Sequence, residues 1–286
     1  MVDNIFASNA LLQRAKKKWY ESVPGGTKIM QPLAYATTSN FEWYTGGSTL
    51  NVSSNEQMTS AEFEWKQCKA SIVINGTDEL KNSGDAQVVN MLKAEVQMAE
   101  KSLSDQLGTG LFNAGNTTNA IIGLRAMVLN SGTYGIISRT SNSWWNAQID
   151  STTTALSLAK AQALYGDCSV DSDRPTVIVT TQNTYDDFYA LIQPQQRFGD
   201  EETVKAGFTN ILWNGLPIIV DSHCPSGYLF MLNEKYISLK YQKDRNFSLT
   251  NFQTPVNQDA RYAHVFWMGA LTGSNCRMQG AFTALA

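Results

Sequence analysis

Apolar residues recur three or four apart over one stretch, Gly84 to Leu111. Val88, Leu92, Val96, Ala99, Leu103 and Leu107 line one face of a helix, and Lys93, Glu100, Lys101 and Asp105 face elsewhere. No proline interrupts the stretch, and strong helix formers fill it. Asn82-Ser83 is the expected N-cap, Asp85 suits the positive end of the dipole, and Gly108 is the expected stop. At about 1.5 Å per residue the predicted helix is a rod of roughly 36 Å, long against a mean of about 11–12 residues. An ordinary amphipathic core helix would show the same stripe, so its neighbours along the chain must decide what the rod is for.

Upstream, Ile5, Phe6, Leu11 and Leu12 precede Arg14 and the run Lys16, Lys17, Lys18, then Trp19-Tyr20. This reads as an arm with at least one helical turn. The lysines suit an acidic partner or nucleic acid, and equally a solvated helix face. From residue 34 to 74 the period changes to two: Phe41 and Trp43 alternate with polar neighbours, as do Phe63 and Trp65, and Ile72 and Ile74 close the second run. A polar tip from Thr45 to Ser60 separates the runs. The pattern predicts a long hairpin. An isolated two-stranded hairpin is marginal in water, so its aromatics need cover from this chain's body or from a neighbouring subunit.

Downstream of the rod the pattern is mixed. Asp150 to Tyr165 is predicted helical with Gly166 as stop, Pro175 to Thr180 a buried strand, and Thr184 to Ile192 a helix ended by Pro194. Asn214-Gly215 between Ile211-Leu212-Trp213 and Leu216–Val220 is a strong hairpin signal. Tyr228 to Leu232, Tyr236 to Tyr241, Arg261 to Met268 and Cys276 to Leu285 read as further strands.

Composition narrows the function classes. The chain has 286 residues, 43% of them hydrophobic, which is enough for a sizeable core. Charged residues make up 16%, against about 25% in typical domains. Such a surface is either Ser/Thr/Asn/Gln-rich, as this one is, or extensively covered by partners. A net charge of -3 gives no global drive toward nucleic acid. Cys68, Cys168, Cys224 and Cys276 are far apart and form no CxxC pair, so neither a zinc site nor a redox motif is signalled. The N-terminal stretch lacks the apolar run of a signal peptide, and no run reaches the length of a membrane span. The Asn-x-Ser/Thr matches at Asn51, Asn75, Asn116 and Asn246 are then coincidences of composition.

Catalytic patterns are weak. His223, beside Cys224, and His264 are the two histidines, and adjacency in sequence does not make a Cys-His pair. Asp186-Asp187 point apart on a helix, and Glu201-Glu202 lie in a loop without a companion for metal or glycosidic chemistry. Trp144-Trp145 fit a loop anchored to a core better than a stacking platform. GTGLFNAG follows a helix and lacks the Gly-Lys-Ser/Thr ending of a phosphate loop. The expectation is no enzyme, no cofactor and no metal.

The ordered set of parts is informative where no single motif is. QMAEKSLSDQLGTGLF (Gln97 to Phe112), RPTVIVTTQNTYDDFYALIQPQQRF (Arg174 to Phe198) and WNGLPIIVD (Trp213 to Asp221), after an arm and a long hairpin and before a late aromatic strand, resemble the major capsid protein of tailed bacteriophages, a fold shared with encapsulins. The resemblance spans nearly the whole chain. It implies an α+β fold with an N-terminal arm (1–33), an extended β-hairpin or E-loop (34–74), a peripheral domain with a spine helix (75–124), an α/β axial domain (125–257) and return strands to the peripheral domain (258–286). It implies a structural subunit of an icosahedral virion capsid, built as a homo-oligomer of pentamers and hexamers around double-stranded DNA, with no sequence-specific DNA contact and no membrane. Some relatives carry a long scaffolding segment ahead of the arm. This chain begins almost at the arm, which implies a separate scaffolding protein, with a portal, or prior trimming. Phe41, Trp43, Phe63 and Trp65 are the expected packing residues of the hairpin, between subunits or onto the body, and Lys16, Lys17 and Lys18 are expected either to face inward or to bind neighbours. An encapsulin-like compartment shell is the nearer alternative, and a soluble α/β enzyme using residues near His223 the farther one.

Overall fold

A computed structural model describes residues 9–50, 52–81, 91–192 and 212–285. Helix α1 (Ala10–Lys18) buries Leu11, Leu12 and Ala15 and carries Lys16, Lys17 and Lys18 in its last turn, where cations suit the dipole. Strand β1 (Tyr20–Val23) follows. Strands β2 (Ile29–Ala34) and β3 (Met58–Phe63) form an antiparallel pair, in register from Ile29 opposite Phe63 to Ala34 opposite Met58. Then come β4 (Lys66–Asn75), α2 (Gly76–Lys81) and the long helix α3 (Met91–Leu111). The middle of the chain holds α4 (Leu124–Met127), β5 (Thr133–Tyr134), β6 (Ile137–Ser138), β7 (Gln148–Asp150), α5 (Leu158–Asp167), β8 (Val177–Thr180) and α6 (Gln182–Ile192). The last third holds β9 (Leu212–Trp213), β10 (Leu216–Val220), β11 (Leu229–Leu232), β12 (Ile237–Leu249), β13 (Ala260–Gly273) and β14 (Gly280–Phe282). No helix among the described residues is long and apolar enough to cross a membrane.

Two sheets organise these elements. One has four strands in the order β1-β12-β13-β4; β13 pairs with β4 from Ala260 opposite Asn75 to Gly269 opposite Lys66. The other has six strands in the order β7-β14-β11-β8-β10-β9. Its middle strands β8 and β11 are buried at every position, as strands covered on both faces must be. Between β9 and β10, Asn214 (φ 49°) and Gly215 (φ 77°) are both left-handed, the type I′ turn that the Asn-Gly pair predicts. Helix α3 packs on β4, β13 and α1.

Several expectations are corrected. The long helix passes through Gly108 and ends at Leu111; Gly108 serves close packing and not a stop, since a β-carbon there would collide with the Asn9 side chain. Ala99, Leu103, Leu107 and Leu111 are its buried face; Leu92 is exposed and Val96 half-buried. The expected start, with Asn82-Ser83, Asp85 and Val88, lies outside the described residues, as do Ile5, Phe6, Pro194, Phe198, Glu201-Glu202 and Ile211. The hairpin legs are β2 and β3; the run around Phe41 and Trp43 forms no strand, side-chain bonds such as Asn40 to the Ser53 carbonyl standing in for a ladder, and the run through Ile72 and Ile74 is β4, paired to β13. The helix expected over Asp150 to Tyr165 starts at Leu158, where Ser157 caps it by accepting the Lys160 N–H, and Asp150 belongs to β7. Gly166 does not stop that helix, which continues to Asp167.

The strand expected at Tyr236 to Tyr241 runs on to Leu249, and only Gly280–Phe282 of the last apolar run is strand. The four-stranded sheet draws β1, β4, β12 and β13 from four of the five segments, and β14 pairs with β11 and β7 in the six-stranded sheet. Pairing joins residues far apart in sequence, and local composition carries no record of it.

Candidate assembly elements

The arm helix is docked at both ends by carboxylates from distant parts of the chain. Asn9 stands at the N-cap position but makes no cap; its Nδ2 donates instead to the Ser104 carbonyl on α3 at 2.7 Å. The cap is supplied from after β10, where Asp221 Oδ2 accepts the Leu11 N–H at 2.9 Å. Asp221 is 1% exposed, and its Oδ1 accepts the His223 N–H at 2.9 Å and lies 3.0 Å from His223 Nδ1. The other ring nitrogen, Nε2, lies 2.9 Å from Asp105 Oδ1 on α3. One histidine thus joins the loop after the six-stranded sheet to the long helix.

Toward the other end of α1, Glu234 accepts two hydrogen bonds from Arg14, at 2.6 and 2.8 Å, one from Lys18 Nζ at 3.0 Å and one from Thr176 Oγ1 at 2.9 Å. Burial acts to raise the Glu234 carboxyl, but the bonds from Arg14, Lys18 and Thr176 outweigh it and hold the group below its ordinary value of 4.5. A lowered folded-state value means that this tie contributes at neutral pH and is lost as pH falls below about 4.5. Amide exchange across α1 is therefore expected to rise in mild acid, and Glu234→Gln is expected to show the raised exchange already at neutral pH, with little further acid response in that window. Hydrogen-exchange mass spectrometry of the two proteins checks this.

The expected lysine contacts differ among themselves. Lys18 is spent on Glu234, and Lys16 lies 4.4 Å from the centre of the Phe247 ring, where burial lowers its pKa against the raising influence of Glu100. Lys17 is exposed.

The hairpin residues also separate into two sets. Phe63 is buried and meets Tyr134 edge-on at 5.1 Å; Trp65 is half-buried and donates from Nε1 to the Gly26 carbonyl at 2.8 Å. Phe41 is 73% and Trp43 93% exposed, the two rings in an edge contact at 5.7 Å. Beyond β2 and β3 side chains replace the strand ladder. Asn40 donates to the Ser53 carbonyl, and Asn55 donates to Ser39 Oγ and, at 3.3 Å, to Asn40 Oδ1. At the root, Tyr35 stacks on Trp144 at 5.1 Å while Trp145 is buried, so the tryptophan pair anchors this region to the core. Tyr44, Leu50 and Val52 extend the exposed apolar tip. A cleft of about 570 Å³ opens elsewhere, between β4 and α3, lined by Cys68, Lys69, Ser71, Glu95, Met98 and Ser102.

Burial pushes the thiol of Cys68 up to about 11 and those of Cys168, Cys224 and Cys276 to about 12, the last against Arg139, so they stay neutral. Among the described residues no group of three or more His, Cys, Asp or Glu side chains could hold a metal ion. His264 lies between the Tyr262 and Phe266 rings on β13, and its Nδ1 has no hydrogen-bond partner. Sequence reasoning missed Asp221, Asp105 and Glu234. The only local signal is a carboxylate directly after an apolar strand (Asp221) and another two residues past a strand end (Glu234), and neither names its partner.

No protein-family model and no curated protein matches the sequence. Solved structures do match the fold. The capsid of cyanophage A-1(L) superposes with a TM-score of 0.76 at 14% identity, covering 100% of this chain and 95% of that one. The capsid of the Myoviridae phage XM1 gives 0.63 at 12%, covering 100% and 95%. The holo-encapsulin complex of Synechococcus elongatus gives 0.65 at 10%, covering 100% and 90%. The chain has the α+β fold of phage major capsid proteins, shared with encapsulins.

Proposed function

We propose that the chain is the major capsid protein of a bacteriophage, a structural subunit that assembles as pentamers and hexamers into an icosahedral shell around double-stranded DNA. The observation that carries this reading is the hairpin tip: Phe41 and Trp43 hold large apolar surfaces in water on a segment the body does not cover, in a chain whose whole length follows a shell-subunit fold. A second copy is the occupant that the reading assigns to the tip. Repeated heterologous contacts between copies close into rings and then a shell. On this reading the protein resides in the virion, acts with a scaffolding protein and a portal, and performs no catalysis. The likeness to the Synechococcus encapsulin supports a second reading, a compartment shell filled with protein.

Electron microscopy with light scattering tests both readings. Shells or rings of five and six support the proposal, and packaged DNA separates it from the compartment. A compact dimer or tetramer that never assembles, even with scaffold, overturns it. The variant Phe41→Ser/Trp43→Ser is expected to fold as the wild type does, since neither ring is buried, yet to lose most shell formation at matched concentration. Normal shells from it would remove the tip from the assembly interface. Trp65 is a poorer probe, because its bond to Gly26 is internal and its loss confounds folding with assembly.

A further inference from the structure

We propose that Ile136 is a preset contact residue between copies of this chain, held out at the root of the hairpin by a turn whose geometry disfavours isoleucine. The turn joins β5 to β6, with Tyr134 opposite Ile137, so its two central residues are Gly135 (φ 58°) and Ile136 (φ 63°). Two positive φ values make it a type I′ turn, which calls for Asn, Asp or Gly at both places. A β-branched residue there crowds its own backbone and is a conformational outlier. Ile136 is also 62% exposed, so the subunit gains no core packing in return. Among the described residues Asn214, Asp171 and Phe247 have positive φ too, and each has a reason inside the subunit. Asn214 makes the Asn-Gly turn, and Asp171 turns the chain between Val170 and Asp173, whose backbones bond to each other. Phe247 lies at an irregularity of β12 that sets its ring 4.4 Å from Lys16 Nζ. Ile136 has no such internal contact to justify its strain.

The surrounding structure keeps the turn from relaxing. Tyr134 is buried, and its carbonyl accepts the Trp145 indole N–H at 3.0 Å. The Gly135 carbonyl accepts the Glu62 N–H at 3.1 Å, and Gly135 lies so close to Ala61 and Phe63 that a β-carbon there would collide with them. The Gly132 carbonyl accepts the Arg139 N–H at 2.9 Å. A conformation fixed from several sides in this way can hold a strained residue. The bond to Glu62 also sets Ile136 at the root of the hairpin. Farther along, Met30 stands opposite Glu62 and Met58 opposite Ala34, on one face of the β2-β3 pair, 51% and 72% exposed. Phe41 and Trp43 lie beyond them. Uncovered apolar positions therefore run the length of the hairpin from Ile136 to the tip, and one occupant, a second copy, accounts for all of them. The Glu62 carboxylate is paired with Lys28 at 2.6 Å, so this pair offers no free charge to a nucleic acid. The inference rests on the shell reading and adds a contact that the tip does not supply.

The test uses the full chain and reads subunit stability and assembly together. Ile136→Asn suits the turn and removes the apolar side chain. It is expected to raise the subunit's melting temperature by about 2–4 °C. The same variant is expected to need about tenfold or more subunit for half-maximal shell formation, followed by light scattering and electron microscopy. Ile136→Leu, still apolar, is expected to assemble as the wild type does. The opposite signs in Ile136→Asn are what a residue of purely internal use would not give, since its loss would lower stability and assembly alike. An Ile136→Asn variant that assembles as readily as the wild type overturns the contact and leaves the shell reading standing. One that melts below the wild type overturns the strained turn as the reason for the residue. A wild-type chain that forms no shell, pentamer or hexamer overturns the shell reading and this contact with it.

Discussion

Arg139→Ala is expected to lower the stability of the subunit by about 3–5 kcal/mol, a large share of the roughly 5–15 kcal/mol that a domain has. Arg139 is 1% exposed, and its guanidinium serves mainly as a hub for backbone carbonyls. Nη1 donates to the carbonyls of Ala126 (3.1 Å) and Ser131 (3.2 Å), Nη2 to that of Met127 (2.5 Å) and, at 3.9 Å, to Cys276 Sγ, and Nε to that of Trp145 (3.4 Å). Two of those carbonyls close α4, whose four residues are too few to hold themselves as a helix. Truncation leaves up to four carbonyls short of a donor, those of Met127 and Trp145 on buried residues, at about 1–3 kcal/mol each before water enters, and opens a cavity beside Tyr134 and Trp145. Water in that cavity recovers part of the loss, which is why the expected total is well below the sum. Arg139→Lys keeps the charge but loses the fork, and should fall between alanine and the wild type. Urea unfolding followed by tryptophan fluorescence measures the effect, with the slope checked for constancy. A midpoint within error of the wild type for Arg139→Ala would mean that those carbonyls have other donors.

Gly123→Ala is expected to cost about 3 kcal/mol or more and to lower the melting temperature by roughly 6–12 °C. The reason is space and not conformation. Gly123 has φ −93° and ψ −169°, which any residue can adopt. A β-carbon there would sit 2.5 Å from the Asn113 nitrogen, 2.5 Å from the Leu111 carbonyl oxygen and 2.6 Å from that of Gly110. All three are backbone atoms at the end of α3, so no side chain can turn aside to make room. The same glycine, at the N-cap of α4, donates its N–H to the Asn113 carbonyl at 3.1 Å and accepts at its own carbonyl from the N–H groups of Ala126 and Met127. Moving it away breaks the closure of the loop over the end of α3. Gly166→Ala is the control: it lies inside α5 with nothing within 4 Å of the added carbon, and should be neutral or stabilising by up to about 1 kcal/mol. Calorimetry on the three proteins checks both expectations.

Much of the chain was legible without coordinates, for reasons that differ by element. The face of α3 from Ala99 to Leu107 is a local property of spacing, and Asn214-Gly215 carries its own turn geometry. The strand at Val177–Thr180 is a β-branched run that reads as buried on both faces. The hairpin failed where two alternating runs, each strand-like by itself, did not pair with each other: Phe41 and Trp43 found no partner strand, and Ile72 and Ile74 belong to a strand whose partner lies near the other end of the chain. Asn9 stands at the N-cap position of α1, yet its amide turns to α3 and a carboxylate more than two hundred positions away caps the helix.

The sequence by itself determined the elements whose causes are short-range: the rod, the arm helix, the Asn-Gly turn, the absence of a metal-spaced cysteine set, and the order of parts that resembles a phage capsid subunit. The tertiary structure alone decided which strands share a sheet, which lysines are spent inside the subunit and which aromatics remain in water. It also decided that His223 stands between two carboxylates. Periodicity, capping and turn propensity act over a few residues, so a linear pattern records them. Strand pairing, remote caps and buried hydrogen-bond hubs join residues brought together only by folding, and the residue types that make them are the same ones that elsewhere face solvent.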